Sequence, residues 1–171
     1  MTHPLTSYWY TWFIPRRPIT LRYELVDGGM VRVLTTLGNP LLWWSSTLVI
    51  FGTLGRLAWL GLRGLRAREP LPELVARLWP WLLPGAFWLA FLSPWVLTAR
   101  DSYIYHYLPC YAGGLLLLAG AFARAFRRWP RASLIAFLLI AEVSVFYAPV
   151  WGQLPLSEVA YGWRLFLQSW R

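Results

Sequence analysis

The sequence predicts an all-α membrane protein: four transmembrane helices, an aromatic, arginine-containing external segment before them, and a short interfacial helix after them. Three observations carry this. The 171 residues are 58% hydrophobic and 13% charged, whereas soluble domains run near about 25% charged and about 45–50% apolar; one small core cannot hide so much apolar surface. Uncharged runs occur at Val33–Gly55, Leu78–Ala99, Ser102–Ala123 and Ala132–Ala141. The first three exceed the roughly 20 residues a helix needs to cross about 30 Å of hydrocarbon, and the fourth reaches Trp151 if Glu142 is tolerated. Finally, the 16 basic residues, all arginine, gather at the ends of these runs.

Residues 1–38 form an external or interfacial segment, polar and aromatic, broken by Pro4, Pro15 and Pro18, with no run long enough for a signal peptide or a span. The transmembrane region covers 39–152. Its first helix, Pro40–Leu62, opens at Gly38-Asn39-Pro40, a turn followed by proline at the first helical position. Trp43 and Trp44 then lie at interface depth. The second helix is expected over Leu78–Thr98, with Pro80, Pro84 and Pro94 permitting kinks. The third covers Tyr103–Ala123 and the fourth Ala132–Trp151. In the tail, 153–171, Trp163, Phe166, Leu167 and Trp170 fall near one helical face and predict a helix lying on the membrane surface.

Arginine-rich loops remain cytoplasmic. The loops after helices one and three hold nine arginines against Glu69 and Glu73; the other side holds seven against Glu24, Asp27, Asp101 and Glu158. Both termini and the turn before helix three are therefore expected outside. Residues 1–38, with four arginines, would then cross the membrane with no helix to lead them. This suggests the C-terminal portion of something longer; a partner subunit supplying the missing half and an inverted topology are the other readings.

The pI near 10.4 does not indicate nucleic acid, because no basic face forms. Cys110 stands alone, which excludes an internal disulfide, and His106 with Cys110 gives only two ligands, too few for a zinc site. No metal and no cofactor are expected. A transporter or channel is disfavoured, since it would want more intramembrane polar residues than Glu142, or a discontinuous helix.

Three stretches have the residue types of a site. In THPLTSYWYTWFIPRRPITLRY, the aromatic residues around Pro15-Arg16-Arg17-Pro18 read either as an interfacial belt or as a phosphate site at Arg16, Arg17 or Arg22, since guanidinium groups bind phosphate through paired hydrogen bonds. DSYIYHYLPC opens helix three with an aromatic collar that also contains His106 and Tyr107. Glu142 lies about ten residues into helix four, near the bilayer middle at a 1.5 Å rise. Intramembrane carboxylates are costly and mark functional or helix-bridging positions.

HP-x-T-S-x-W-x-x-W followed by RRPI, then LGNP-x-x-WW, then YIYHYLP, taken in order from His3 onward, resemble the C-terminal four-helix region of protein O-mannosyltransferases, the polyprenyl- or dolichyl-phosphate-mannose-dependent enzymes of the GT-C class. The resemblance implies transfer of mannose from a lipid phosphate to Ser or Thr hydroxyls of a protein acceptor, on the outer or lumenal face, with inversion at the sugar carbon. It implies no catalytic residue here: the required acidic pair belongs to an N-terminal half, and Asp101 does not match it. His106, Tyr107 and Arg17 are then expected to position the donor's phosphate and sugar, in a groove that takes the isoprenoid tail. Membrane lipid and an N-terminal catalytic half or subunit are the implied partners, and the bacterial plasma membrane is favoured over the ER. The alternative is a stand-alone, non-catalytic four-helix scaffold or partner subunit.

Overall fold

The computed structural model describes residues 6–16, 18–98 and 102–170, less the side chain of Gln168. Four long helices dominate it: α1 (Pro40–Arg66), α2 (Leu71–Leu97), α3 (Leu108–Arg128) and α4 (Pro130–Gly152), each long and apolar enough to span a membrane. The chain is a multi-pass integral membrane protein. α2 begins seven residues before the expected Leu78, because an uncharged run stops at Arg77 while a helix does not: Glu73 lies in its first turn and Arg77 pairs with Glu69 at 2.7 Å. Its internal prolines leave it one helix.

α3 lies between α1 and α2, and the glycine pair in its AGG stretch is the reason. A Cβ on Gly114 would meet Ile50 Cδ1 at 2.7 Å, and one on Gly113 would meet Phe87 Cδ1 at 3.0 Å. Small residues let membrane helices approach closely where no hydrophobic drive exists. At the arginine-rich end, the guanidinium of Arg124 sits 4.0 Å and that of Arg56 5.7 Å from the ring centre of Trp81. An indole under two cations suits the headgroup level, so the α1–α2 hairpin beyond it projects past the membrane.

Asn39 fixes the other end. Its side-chain oxygen caps α1, accepting from Leu41 N at 2.9 Å and Leu42 N at 3.2 Å. Its amide donates to Ile140 O at 2.9 Å and Ser144 Oγ at 2.7 Å. Both halves of one buried side chain are satisfied, and the start of α1 is tied to α4 some two to three turns below the latter's C-terminus.

Segment 6–38 is not merely irregular. It holds a β-hairpin, β1 (Thr20–Val26) with β2 (Met30–Thr35), turned at Asp27-Gly28-Gly29, where both glycines take positive φ. β3 (Leu156–Ser157) adds antiparallel to β2. Along β2, burial alternates, with Val31 and Val33 packed inward. This sheet supplements the all-α membrane part and was not expected from the composition.

The short C-terminal helix expected is present, but it is shorter than the face of Trp163, Phe166, Leu167 and Trp170 required. α5 (Glu158–Arg164) ends at Leu165, and a 3-10 turn follows at Gln168–Trp170. Trp163 and Phe166 are exposed, while Trp170 is buried and its indole donates to Pro15 O. The tail is anchored by Arg164, whose Nε donates to Phe146 O at 2.7 Å and Nη1 to Ala160 O at 2.6 Å, while Tyr147 donates to Arg164 O at 2.9 Å. Burial lowers the guanidinium's pKa from its ordinary value, and no ion pair to it is found among the described residues.

Candidate functional site

At the end of the bundle away from the Arg-rich loops, segment 6–16 packs over α1, α2 and α3. Ser7 and Ser102 bind each other twice: Ser7 N donates to Ser102 O and Ser102 Oγ to Ser7 O, both at 2.8 Å. Trp12, placed by composition in an interfacial belt, is instead fully buried, with its indole on Ser7 Oγ at 2.8 Å. The backbone it interrupts is held from below, as Trp43 Nε1 donates to Trp12 O at 2.7 Å and Thr47 Oγ1 to Phe13 O at 2.9 Å. Irregular backbone near hydrocarbon must find donors within the protein, and these side chains provide them.

Two features with binding chemistry share this face. The first is a polar hollow of about 150 Å³ lined by Thr6, Ser7, Tyr8, Tyr10, Thr11 and Arg16. Tyr8 and Tyr10 are exposed and stacked 5.4 Å apart, which gives it an aromatic wall beside a guanidinium.

The second is His106. A 3-10 turn, Ile104–Tyr107, leads into α3. Tyr103 N donates to His106 Nδ1 at 3.0 Å, and the imidazole stacks on Trp95 of α2 at 3.9 Å and 18°. With Nδ1 accepting, the neutral ring carries its proton on Nε2, which makes it a hydrogen-bond donor held in a defined plane. Trp12 ties the two features together, its ring lying 6.3 Å from His106.

The expected site residues are placed unevenly. Tyr107 is fully buried; its hydroxyl accepts from Trp88 Nε1 at 3.2 Å, and its ring packs among Trp12, Phe13 and Trp43. It therefore lies beneath His106 and away from the surface. Arg17 and Asp101 lie outside the described residues. Arg22 is occupied by Glu24, at 2.5 Å, and by Gln153, at 3.2 Å. Glu142, expected near the bilayer middle, lies between the two α4 residues that Asn39 holds, level with the first turn of α1, on an exposed face. Cys110 is buried, and the described residues hold no group of three His, Cys, Asp or Glu that could bind a metal.

Tyr8 and Tyr10 are indistinguishable from belt residues in the sequence, and Thr11 and the partner of His106 carry no signal there. Trp95 is remote in sequence, and only the packing of α2 against α3 reveals it.

Comparison with curated proteins finds no significant match. Among solved structures, the chain is similar to the Saccharomyces cerevisiae protein O-mannosyltransferase Pmt1–Pmt2 complex bound to the sugar donor, with a TM-score of 0.67 and 18% identity. All of this chain is covered but only 24% of that one, so it spans about a quarter of its relative's length. At that identity the likeness is one of fold. The family model described as the C-terminal four-transmembrane region of protein O-mannosyltransferase matches residues 1–170. The chain belongs to the protein O-mannosyltransferase family, as its C-terminal four-helix membrane region.

Proposed function

We propose that this region forms part of the donor site of a lipid-phosphate-mannose-dependent protein O-mannosyltransferase, with the catalytic carboxylate supplied by an N-terminal half. The carrying observation is that His106, fixed by Trp95 and Tyr103 N, shares one face with the Arg16 hollow. An imidazole Nε2–H and a guanidinium are donors that stabilise a phosphate leaving group as negative charge develops on it. Arg17, next to Arg16 in sequence, would add a second cation. Tyr107 would act from below, holding the turn that presents His106. The division into 1–38, 39–152 and 153–171 then separates a headgroup layer, a spanning layer and an anchoring tail.

The donor would be polyprenyl- or dolichyl-phosphate mannose and the acceptor a Ser- or Thr-bearing protein. The arginine distribution supports an orientation with both ends of this region outside; the bacterial plasma membrane is our preferred location.

The test is donor binding in the full-length context with alanine at His106, Arg16 and Arg17, measured by titration with a soluble-chain polyprenyl phosphate mannose. Removing any one of these charge-assisted hydrogen bonds should weaken binding by about tenfold or more. Unchanged binding in all three variants would sink the donor-site reading and leave the scaffold reading standing.

A further inference from the structure

A second built feature runs along the bundle, from the first turn of α1 down to the arginine-rich end. A groove of about 650 Å³ opens between α3 and α4, with Leu42 of α1 also lining it. Leu115, Leu118 and Phe122 line it from α3, and Phe137 and Ile140 from α4. Ala119 and Ala123 contribute only methyl groups, and Arg127 stands at the arginine-rich end. From Leu115 to Arg127 the groove follows α3 for about 18 Å at a 1.5 Å rise, close to half of a hydrocarbon layer about 30 Å thick.

The charges around that end are unevenly engaged. Arg124 is held by Gly120 O at 3.0 Å and by Trp81, and Arg128 lies 5.1 Å from the Trp129 ring centre. Arg127 takes part in none of the ion pairs among the described residues. The turn and its flanks, 124–131, include four arginines and no acid. A shallower hollow of about 530 Å³, lined by Trp129, Pro130, Arg131 and Ala132, adjoins the turn.

We propose that this groove holds one acyl chain of an anionic glycerophospholipid, with its phosphate on Arg127 and its headgroup over the Arg131 hollow. The length matches one leaflet, the lining is apolar apart from Arg127, and the open end offers a guanidinium outside the ion pairs among the described residues. Hydrocarbon gains little by exchanging bulk lipid for an apolar groove, so selectivity rests on charge. The site is distinct from the proposed donor site: α3 separates Arg127 from His106 by nearly its whole length, 21 residues.

The experiment is native mass spectrometry of the protein released from bilayers of equal phosphatidylglycerol and phosphatidylcholine with matched chains. One phosphatidylglycerol should remain bound in preference to phosphatidylcholine. Arg127→Gln should cut that preference about fivefold, the weight of one arginine at an anionic surface. Ala119→Phe and Ala123→Phe, at exposed positions, should expel the lipid and leave the unfolding temperature in place. The proposal fails if Arg127→Gln keeps the wild-type preference or if a groove-filled variant still retains one phosphatidylglycerol. It fails equally if both Phe variants unfold as core variants do, since protein would then occupy the groove. Retention of added polyprenyl phosphate, unaffected by Arg127→Gln, would likewise replace it with a donor-tail groove.

Discussion

Trp43→Phe tests whether indole donors hold the external segment onto the bundle. Trp43 is 1% exposed, and its Nε1 donates to Trp12 O at 2.7 Å. The ring stacks on Tyr111 at 4.5 Å and lies 5.6 Å from Tyr107. Phenylalanine keeps one ring in the stack but leaves the Trp12 carbonyl without its donor, which costs about 1–3 kcal/mol for a buried polar group. The weaker stacking of the smaller ring adds up to about 1 kcal/mol, so a total of about 1–4 kcal/mol is expected. Cys110, the single cysteine and fully buried, makes a direct reporter: a thiol-reactive dye labels it only as the bundle opens. Trp59→Phe, at a 58% exposed position, provides the control and should remain within about 0.5 kcal/mol of wild type. If Trp43→Phe labelled Cys110 no earlier on heating than Trp59→Phe, the indole–carbonyl account of this face would be wrong.

Asn39 separates capping from bridging. Asn39→Ser keeps an acceptor for the α1 cap but loses the amide to α4, and should cost about 1 kcal/mol; Asn39→Ala loses both, about 2 kcal/mol. Asn39→Asp should destabilise more than serine does, because it buries a carboxylate against the Ile140 carbonyl oxygen, and urea unfolding would rank the three. Gly114→Leu drives side-chain atoms into Ile50 and should cost several kcal/mol or prevent assembly, read as loss of the monodisperse peak on size-exclusion chromatography. Arg164→Met should free the tail: protease cleavage after α4 should rise, with little shift in bundle unfolding, since the Arg164 side chain meets α4 at Phe146, through its carbonyl and its ring, and otherwise binds Ala160 O within the tail itself.

The spans could be read from the sequence because hydrocarbon imposes a length and forbids charge, so uncharged runs located all four helices. Their charged extensions could not, and α2 begins at Leu71, with Glu73 and Arg77 helical although charged. The hairpin had a visible signal in Asp27-Gly28-Gly29 between alternating strands, but the composition drew attention to arginine and tryptophan. His106 stood out as a histidine at a helix start, whereas its stack on Trp95 depends on which face of α2 meets α3. Tyr107 carried the same motif, yet its burial follows from a one-residue step around the turn.

The abundance of tryptophan at this face has a structural cause that narrows where binding chemistry can lie. Loop carbonyls at Trp12, Pro15 and Leu37 each receive an indole N–H, from Trp43, Trp170 and Trp151 in turn, and Phe13 O receives the Thr47 hydroxyl. These donors come from α1, α4 and the tail, so the loop is satisfied without water while it lies below the end of α4. An indole suits this role because its apolar body packs among helices and its single N–H reaches a carbonyl. Tryptophans so engaged are not available to a ligand. What the external layer leaves for recognition lies outside this set of indoles, at the exposed Tyr8–Tyr10 stack and Arg16 of the polar hollow.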